Sequence, residues 1–283
     1  MNKPIVADQF YEADFAKLNK QIEKCFYHER GPGDLPTKRG EKEIKGVLVP
    51  HAGYIFSGPC AAWAYKEIAE AKMPSTFVIL APDHNGLHAF ATTSTEDWEM
   101  SFGPVKADKK FIKKLFEKVD FLKEGEIKEH AIEVQLPFLQ FACRNDLDKL
   151  KIVPIVVPVW DDYEKLGKAI AEIDKDVCVI ISTDFTHYGH AYGYKPFKYN
   201  IKASILAQDD QAIDLILNFD AKNFLSFKRK TKASICGSYP IMVGLEVLKG
   251  LGTEKGMVLS YYTSSDITGD EENSVSYASI LFK

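Results

Sequence analysis

Three apolar segments of this chain each end in residues that bind metals or transfer protons, and this pattern constrains the fold most. The segments are residues 45–50, followed by His51; residues 76–82, followed by Asp83 and His84; and residues 177–183, followed by Asp184 and His187. Continuous runs of Val, Ile and Leu are typical of buried parallel strands. In open α/β sheets, ligands bind just beyond the carboxyl ends of such strands. The three segments therefore predict one shared site, most simply a metal site, at one edge of a sheet.

Strand-like and helical segments alternate along the chain, which predicts a layered α/β fold. Helices are predicted at residues 7–29, 57–71, 109–118, 131–142, 163–173, 202–217 and 238–251. Pro137 should kink or restart the fourth of these helices. Residues 151–157 form a further predicted strand, and the segments 257–263 and 275–282 are expected to pair as a terminal antiparallel unit. No composition break, repeat or linker divides the chain. We therefore expect residues 1–283 to form a single-domain αβα sandwich with a mixed, largely parallel central sheet.

Composition excludes several classes of protein. A net charge of −4 gives no reason to expect binding to nucleic acid or to an anionic membrane. The first 16 residues lack the apolar region of a secretory signal, and no segment is long and apolar enough to span a bilayer. The five cysteines are scattered and odd in number, without a CxxC motif. This usage argues against a disulfide framework and favours a reducing, cytoplasmic location.

Two histidines occupy matching turns after the first two predicted strands. Pro50 and Gly53 flank His51, and His84 lies in a similar turn that begins at Pro82. A single histidine in such a turn is more often part of a hydrogen-bonded structure than a ligand. Because two histidines occupy matching turns, the hypothesis that both bind a metal has the same weight as the hypothesis that both have a structural role. Asp83, next to His84, is expected to contact the metal ligands without binding the ion.

Two further acid–imidazole pairs have a spacing of three residues. Asp184 and His187 could bind a metal, or Asp184 could orient His187 as a general acid or base. The alternative is a helix N-cap at Asp184. His130 and Glu133 form the second pair at the start of a predicted helix. We expect both to surround the metal ligands, with a solvated helix cap as the alternative.

Cys236 differs from the other cysteines because Gly237 and Ser238 begin a predicted helix directly after it. The helix N-terminus favours the thiolate form of a cysteine. Such a thiolate is either a nucleophile or a soft metal ligand, and an inert buried thiol is the alternative. Aromatic residues near these positions are expected to line a pocket for a planar or apolar ligand, although core packing would explain them equally. They are Tyr54, Phe56, Phe185 and Tyr239.

Six motifs, taken in order, resemble the Memo family, called AmmeMemoRadiSam system protein B in microbes. The motifs are VPHAGYIFSGPCAAWAYK, LAPDHNG, EHAIEVQLPFLQ, STDFTHYG, ICGSYPI and YTSSDITGD. The family is similar in fold to the class III (LigB-type) extradiol dioxygenases, which hold non-haem Fe(II) with two histidines and a carboxylate. The resemblance implies that His51, His84 and Cys236 are the metal ligands. It also implies that Asp184 and His187 line the same pocket, His187 matching the acid/base histidine of the dioxygenases.

The resemblance also sets expectations about cofactors and partners. A thiolate in place of the carboxylate makes the site softer, which favours copper, zinc or thiolate-ligated iron. A thiolate is also oxidised by activated oxygen, which argues against ordinary dioxygenase chemistry. The family implies iron(II) or copper, with zinc as a further option, and an oxidoreductase-type activity on an unknown substrate. It implies an unknown small molecule or peptide as partner, and a functional link to a radical SAM protein.

Three hypotheses for the function stay open at this stage. The first is a metal-dependent redox or oxygenase-type enzyme. The second is a metal-free cysteine enzyme, in which Cys236 is the nucleophile, His187 the base and Asp184 the residue that orients it. This hypothesis leaves His51 and His84 unexplained. The third is a binding module that holds a peptide, another ligand or a metal without turnover, and the sequence does not separate it from the first.

Overall fold

The three segments that end in candidate site residues form neighbouring strands of one sheet. The computed structural model describes residues 1–159 and 162–283. In this part of the chain the strands are β1 (Gly46–Val49), β2 (Thr76–Pro82), β3 (Thr92–Thr93), β4 (Lys106–Ala107), β5 (Lys123–Glu124), β6 (Lys151–Val157), β7 (Val177–Ser182), β8 (His187–Tyr188), β9 (Gly256–Thr263) and β10 (Ser274–Phe282). Their order is β5-β3-β6-β2-β7-β1-β10-β8, with β4 beside β6 and β9 beside β10. The shared edge predicted for β1, β2 and β7 follows directly from this order.

The sheet is parallel at its centre and antiparallel towards one side. β6, β2, β7 and β1 run parallel to one another, and β10 pairs antiparallel with β1. β9 and β10 pair antiparallel along most of their length, which confirms the predicted terminal unit. The prediction of a mixed, largely parallel sheet is therefore confirmed.

Helices cover both faces of this sheet. They are α1 (Phe15–Tyr27), α2 (Tyr54–Glu70), α3 (Lys109–Lys118), α4 (His130–Glu133), α5 (Gln135–Ala142), α6 (Tyr163–Ile173), α7 (Ile201–Leu217), α8 (Ala221–Thr231), α9 (Ser238–Gly250) and α10 (Ser265–Thr268), with a 3-10 turn at His190–Tyr192. Successive strand residues face opposite sides of a sheet. Leu48 and Val78 pack in one core with α3, α6 and α9, whereas Val47 and Phe77 pack in the other with α1, α2 and α5. This arrangement is the predicted αβα sandwich.

The helices confirm one predicted detail and differ from the prediction in others. The first helix begins at Phe15 rather than near residue 7, because Asp14 caps it by accepting a hydrogen bond from Lys17 N–H. The helix containing Pro137 restarts after Val134, as predicted, so that the proline lies in the first turn of α5, where a missing N–H costs nothing. Helix α8 was not predicted, since its surface is mostly charged. No helix in the described ranges is long and apolar enough to cross a membrane.

Candidate metal centre

His51, His84 and Cys236, called the ligand set below, meet at the carboxyl edge of the central strands. His51 follows β1, His84 follows β2, and Cys236 directly precedes α9. One ligand atom from each residue lies within 4.8 Å of the other two. The strand order explains this meeting, because β7 alone separates β1 from β2. Gly237 allows the close approach of Cys236, since a Cβ at this position would lie only 2.4 Å from Thr183 Cβ.

A buried hydrogen-bond network fixes the protonation of His51. Gln135 Nε2 donates to Ser182 Oγ at 2.9 Å, and Ser182 Oγ donates to the carbonyl of Ala131 at 2.7 Å. Because Ser182 uses its only hydroxyl proton in that bond, its Oγ can only accept from His51 Nδ1, which lies 2.9 Å away. His51 Nδ1 therefore carries the proton and donates it to Ser182 Oγ. Burial, reinforced by the charges of nearby histidines, lowers the pKa of His51. The imidazole is therefore neutral, with its lone pair on Nε2.

Glu129 holds His84 in the corresponding way. One carboxylate oxygen accepts from His84 Nδ1 at 2.8 Å, and the other accepts from the His84 backbone N–H at 2.8 Å. Burial opposes the charged imidazolium, but hydrogen bonding and charge from Cys236 and Glu129 raise the pKa of His84 to about 10. A carboxylate that binds Nδ1–H of a histidine is the usual support for a metal ligand, because it leaves Nε2 for the ion. Glu129 also contacts His130, whose ring stacks on that of His84 with centroids 4.5 Å apart.

Cys236 completes the ligand set, and its sulfur atom limits the kinds of ion that fit. Its Sγ lies 3.2 Å from His51 Nε2 and accepts the backbone N–H of Asp184 at 3.2 Å. Since Nε2 of His51 carries a lone pair, a thiolate facing it at this distance would be repelled unless a proton or a metal ion lay between them. Ordinary zinc bonds of about 2.0 Å to nitrogen and 2.3 Å to sulfur would accommodate both atoms on one ion. The donor set therefore fits a soft or borderline metal.

A cavity of about 360 Å³ opens beside the ligand set. His51, His84, His130, Asp184 and His187 line it on the polar side. Its other walls are mostly apolar or aromatic and include Phe10, Phe56, Val275, Tyr192 and Tyr277, and Gln9 also lines it. Within the described residues, no Lys or Arg lines this cavity. The walls thus suit a ligand that is largely apolar and binds through the polar end.

His187 and Asp184 both reach the cavity, but they do not act as a pair in the predicted way. His187 Nδ1 lies 3.0 Å from two carbonyl oxygens, those of Phe185 and Ser234. Carbonyls only accept, so Nδ1 carries a proton and the neutral ring keeps its lone pair on Nε2. The carboxylate of Asp184 accepts the backbone N–H of His51 at 2.8 Å. Two carbonyls, rather than Asp184, therefore orient His187, and Asp184 fixes the turn that carries His51.

The predicted pocket aromatics lie mostly outside the cavity. Tyr54 is 2% exposed and donates its hydroxyl proton to the carbonyl of Val134 at 2.7 Å. Phe185 is fully buried in the core between the sheet and α9, and Tyr239 packs against the same core. For these three residues the structure favours the core-packing alternative over the pocket. Phe56 is the predicted aromatic residue that lines the cavity.

Two residues expected to surround the ligands stabilise other segments instead. Glu133 accepts hydrogen bonds from the backbone N–H groups of Ile5 and Val6, at 2.7 and 3.1 Å, and from the hydroxyl of Tyr11 at 2.7 Å. It therefore anchors the N-terminal segment. Asp83 accepts the backbone N–H of His88 at 2.8 Å and shapes the turn after His84. His130 contacts Glu129 and lines the cavity beside His51 and His84.

The structure adds residues that support the candidate ligands and that the sequence did not assign. Glu129 supports His84, and Ser182 with Gln135 supports His51. A signal for Glu129 exists, because it precedes His130 at a predicted helix start. No local signal marks Phe10, which belongs to the N-terminal segment and reaches the cavity because the carbonyl of Phe10 accepts the backbone N–H of Tyr54 at 2.8 Å.

Comparison with known proteins gives consistent results. A family model described as Memo-like protein matches residues 2–281. A MEMO1 family protein of Methanopyrus kandleri is 38% identical, covering 99% of this chain and 98% of that protein. A MEMO1 family protein of Saccharolobus solfataricus is 36% identical with the same coverage of both chains. The crystal structure of an uncharacterized protein from Escherichia coli K12 matches with a TM-score of 0.53 at 10% identity, covering 84% of this chain and 99% of that one. This last similarity concerns the fold alone.

Proposed function

Because the chain belongs to the Memo family, we propose that it binds one metal ion, iron(II) or copper, through His51, His84 and Cys236. Zinc is the alternative ion. The observation that carries this proposal is the pair formed by His51 Nε2 and Cys236 Sγ, which face each other at 3.2 Å with the imidazole lone pair directed at sulfur. The supports behind both histidines leave Nε2, not Nδ1, for the ion.

The choice of metals follows from the donor set. Thiolate sulfur favours copper(I), zinc and thiolate-ligated iron, and imidazole suits the same metals. Carboxylate-preferring ions such as magnesium and calcium do not match two nitrogen atoms and one sulfur atom. Three protein ligands leave room for a water molecule or substrate, which is typical of catalytic rather than structural sites. When bound, the ion would supply Lewis-acid or electron-transfer chemistry beside the cavity.

The residues around the ion suggest a redox or oxygenase-type reaction of an unknown substrate. His187 can take or give a proton at Nε2, because its Nδ1 proton is held by two carbonyls. Asp184 places a second titratable group in the cavity, and burial raises the pKa of its carboxyl group. The aromatic walls would exclude water from a small molecule or a peptide side chain bound there.

The geometry gives less support to a metal-free cysteine enzyme. In that hypothesis His187 deprotonates Cys236 and Asp184 orients His187. Instead, the imidazole in contact with Cys236 Sγ is that of His51, and the Nδ1 partners of His187 are carbonyl oxygens. The carboxylate of Asp184 is bonded to the His51 backbone. Cys236 with His51 as its base is the remaining form of this hypothesis, and it leaves the support of His84 by Glu129 without a purpose.

Elemental analysis of protein purified without oxygen tests the proposal. We expect nearly one iron or copper ion per chain, and loss of the ion in Cys236→Ser. Cys25→Ala is the matched control, since it removes a buried thiol outside the ligand set and should keep the metal. Wild-type protein that binds no iron(II), copper(I) or zinc, even after reconstitution, would refute the proposal. Metal binding without oxygen consumption or turnover would favour the binding module.

A further inference from the structure

A short loop, residues 233–236, contains the proposed ligand Cys236 and is hydrogen-bonded to His187, the proposed acid/base residue. Cys236 ends this loop, and Ser234 binds the backbone of His187 in both directions. Ser234 Oγ accepts His187 N–H at 2.9 Å and donates to the His187 carbonyl at 2.7 Å. The carbonyl of Ser234 also lies 3.0 Å from His187 Nδ1. Any shift of this loop therefore moves the sulfur and the imidazole together.

Lys228, from α8, holds the loop from behind. Its ammonium donates to the carbonyls of Ala233 and Ile235, the latter at 3.1 Å. The side chain is partly buried, and no carboxylate within residues 1–159 and 162–283 forms an ion pair with it. Burial lowers the pKa of Lys228, and the negative charge of Cys236 opposes this shift. Burying an ammonium without a carboxylate is costly, and an apolar side chain of similar length would avoid this cost.

We propose that Lys228 is a positioning residue of the metal centre, holding the 233–236 loop through two carbonyls and placing a positive charge behind the Cys236 thiolate. The charge compensates the thiolate, and the hydrogen bonds restrict the direction of the Cys236 side chain. This inference rests on the proposed metal-binding function, because it concerns how tightly and in what geometry the sulfur binds an ion. Residues behind a metal ligand commonly change metal affinity by about 10- to 100-fold when replaced.

Cobalt(II) is a suitable probe, since a bound thiolate gives it a sulfur-to-metal absorption band. Lys228→Met removes both the charge and the hydrogen bonds, whereas Lys228→Gln keeps a donor without the charge. Lys230→Met is the matched control, because it removes a positive charge from the exposed surface of the same helix. Cobalt affinity is measured by competition with a chromophoric chelator, together with the position and intensity of the band.

We expect Lys228→Met to weaken cobalt binding by about tenfold or more and to shift the band. Lys228→Gln should lose less affinity, and Lys230→Met should match the wild type. The inference is overturned if Lys228→Met binds within twofold of the wild type with an unchanged band, or if Lys230→Met loses as much. If Lys228→Met does not fold, Lys228→Gln decides the question, and wild-type affinity in that variant would overturn the role of the charge. Failure of the wild type itself to bind cobalt, zinc, iron(II) or copper(I) would instead refute the proposed function.

Discussion

Replacing Glu129 by Gln should both destabilise the metal-free protein and weaken metal binding. The buried carboxylate accepts hydrogen bonds from His84 Nδ1 and the His84 backbone at 2.8 Å each, and from the Ala131 backbone at 3.0 Å. His130 Nδ1 lies 3.1 Å from the same oxygen that receives two of these bonds. An amide has one oxygen only. Whichever way it is oriented, its NH2 group must face at least one N–H donor.

The size of the effect follows from these contacts. Losing one hydrogen bond to a buried charged group costs about 1.5–3 kcal/mol. The remaining bonds also weaken, since an amide oxygen accepts less strongly than a carboxylate. We therefore expect the free energy of unfolding to fall by about 2–4 kcal/mol. Metal affinity should fall by about 10- to 100-fold, because the imidazole of His84 loses the acceptor that directs its Nε2.

The pH dependence of the effect has a defined sign. Burial raises the pKa of Glu129, but hydrogen bonds and charge from His84, with the Ala131 N–H, outweigh it and hold the pKa below the ordinary value of 4.5. A carboxyl whose pKa is lower in the folded state stabilises the fold above its unfolded pKa, and this contribution is lost as the pH falls. The raised pKa of His84, to which Glu129 contributes, stabilises the fold fully only below the ordinary histidine value of 6.5, and this part is lost as the pH rises towards about 10. The difference between wild type and Glu129→Gln should therefore be largest between about pH 4.5 and pH 6.5 and should narrow as the pH falls below about 4.5.

Urea unfolding of metal-free protein, followed by circular dichroism at several pH values, measures the first effect, and chelator competition measures the second. Glu126→Gln is the matched control, because Glu126 is 68% exposed and its ion pair with Lys128 lies in solvent. That change should alter stability by less than about 0.5 kcal/mol. Unchanged stability and metal affinity in Glu129→Gln would show that the carboxylate does not support His84.

Three further changes test other parts of the structure. Tyr261→Phe removes a 2.8 Å hydrogen bond to the buried carboxylate of Asp209 and should cost about 1.5–3 kcal/mol in urea unfolding, whereas the exposed Tyr199→Phe should have no effect. Glu133→Gln should speed hydrogen exchange in residues 2–11, which that carboxylate anchors, and equal exchange rates would contradict this role. Gly237→Ala should lower the free energy of unfolding by at least about 1–3 kcal/mol and weaken metal binding, because the added Cβ would lie 2.8 Å from the backbone oxygen of Ser182. A variant with unchanged stability and metal affinity would refute this expectation.

The sequence predicts the sheet and the meeting of His51 and His84 because both depend on local patterns. Apolar runs identify β1, β2 and β7, and the residue after each run must lie at the carboxyl edge. The positions of His51, His84 and Asp184 therefore follow from strand ends alone. Cys236 is not on a strand, and the sequence suggests its role only through the helix start that follows it and the family resemblance.

Side-chain direction explains the predictions that failed. Glu133 and His130 have the same spacing as Asp184 and His187, but one turn of helix sends the Glu133 carboxylate towards the N-terminal segment. Tyr54 is close in sequence to His51, yet it begins α2 and points into the core. Local spacing does not encode such directions, because they depend on which distant segment packs against the helix. The N-terminal segment is the clearest case, since its contacts with residue 133 span more than 120 positions.

The four histidines around the cavity share one arrangement, and it bears on what the site binds. In His51, His84, His130 and His187, Nδ1 lies within 3.1 Å of a protein oxygen. With each Nδ1 directed at its oxygen, Nε2 is the ring nitrogen that is left to exchange a proton or to bind an ion. Burial and the charge of His84 lower the pKa of His130 to about 4, so this ring is neutral near pH 7, whereas the raised pKa of His84, about 10, keeps that ring protonated. Under the proposed function, the ion takes the place of the His84 proton and binds Nε2 of His51 and His84 together with Cys236 Sγ. We therefore expect the hydrogen bonds to Nδ1 of His51 and His84 to hold both rings in the orientation that the proposed ion requires.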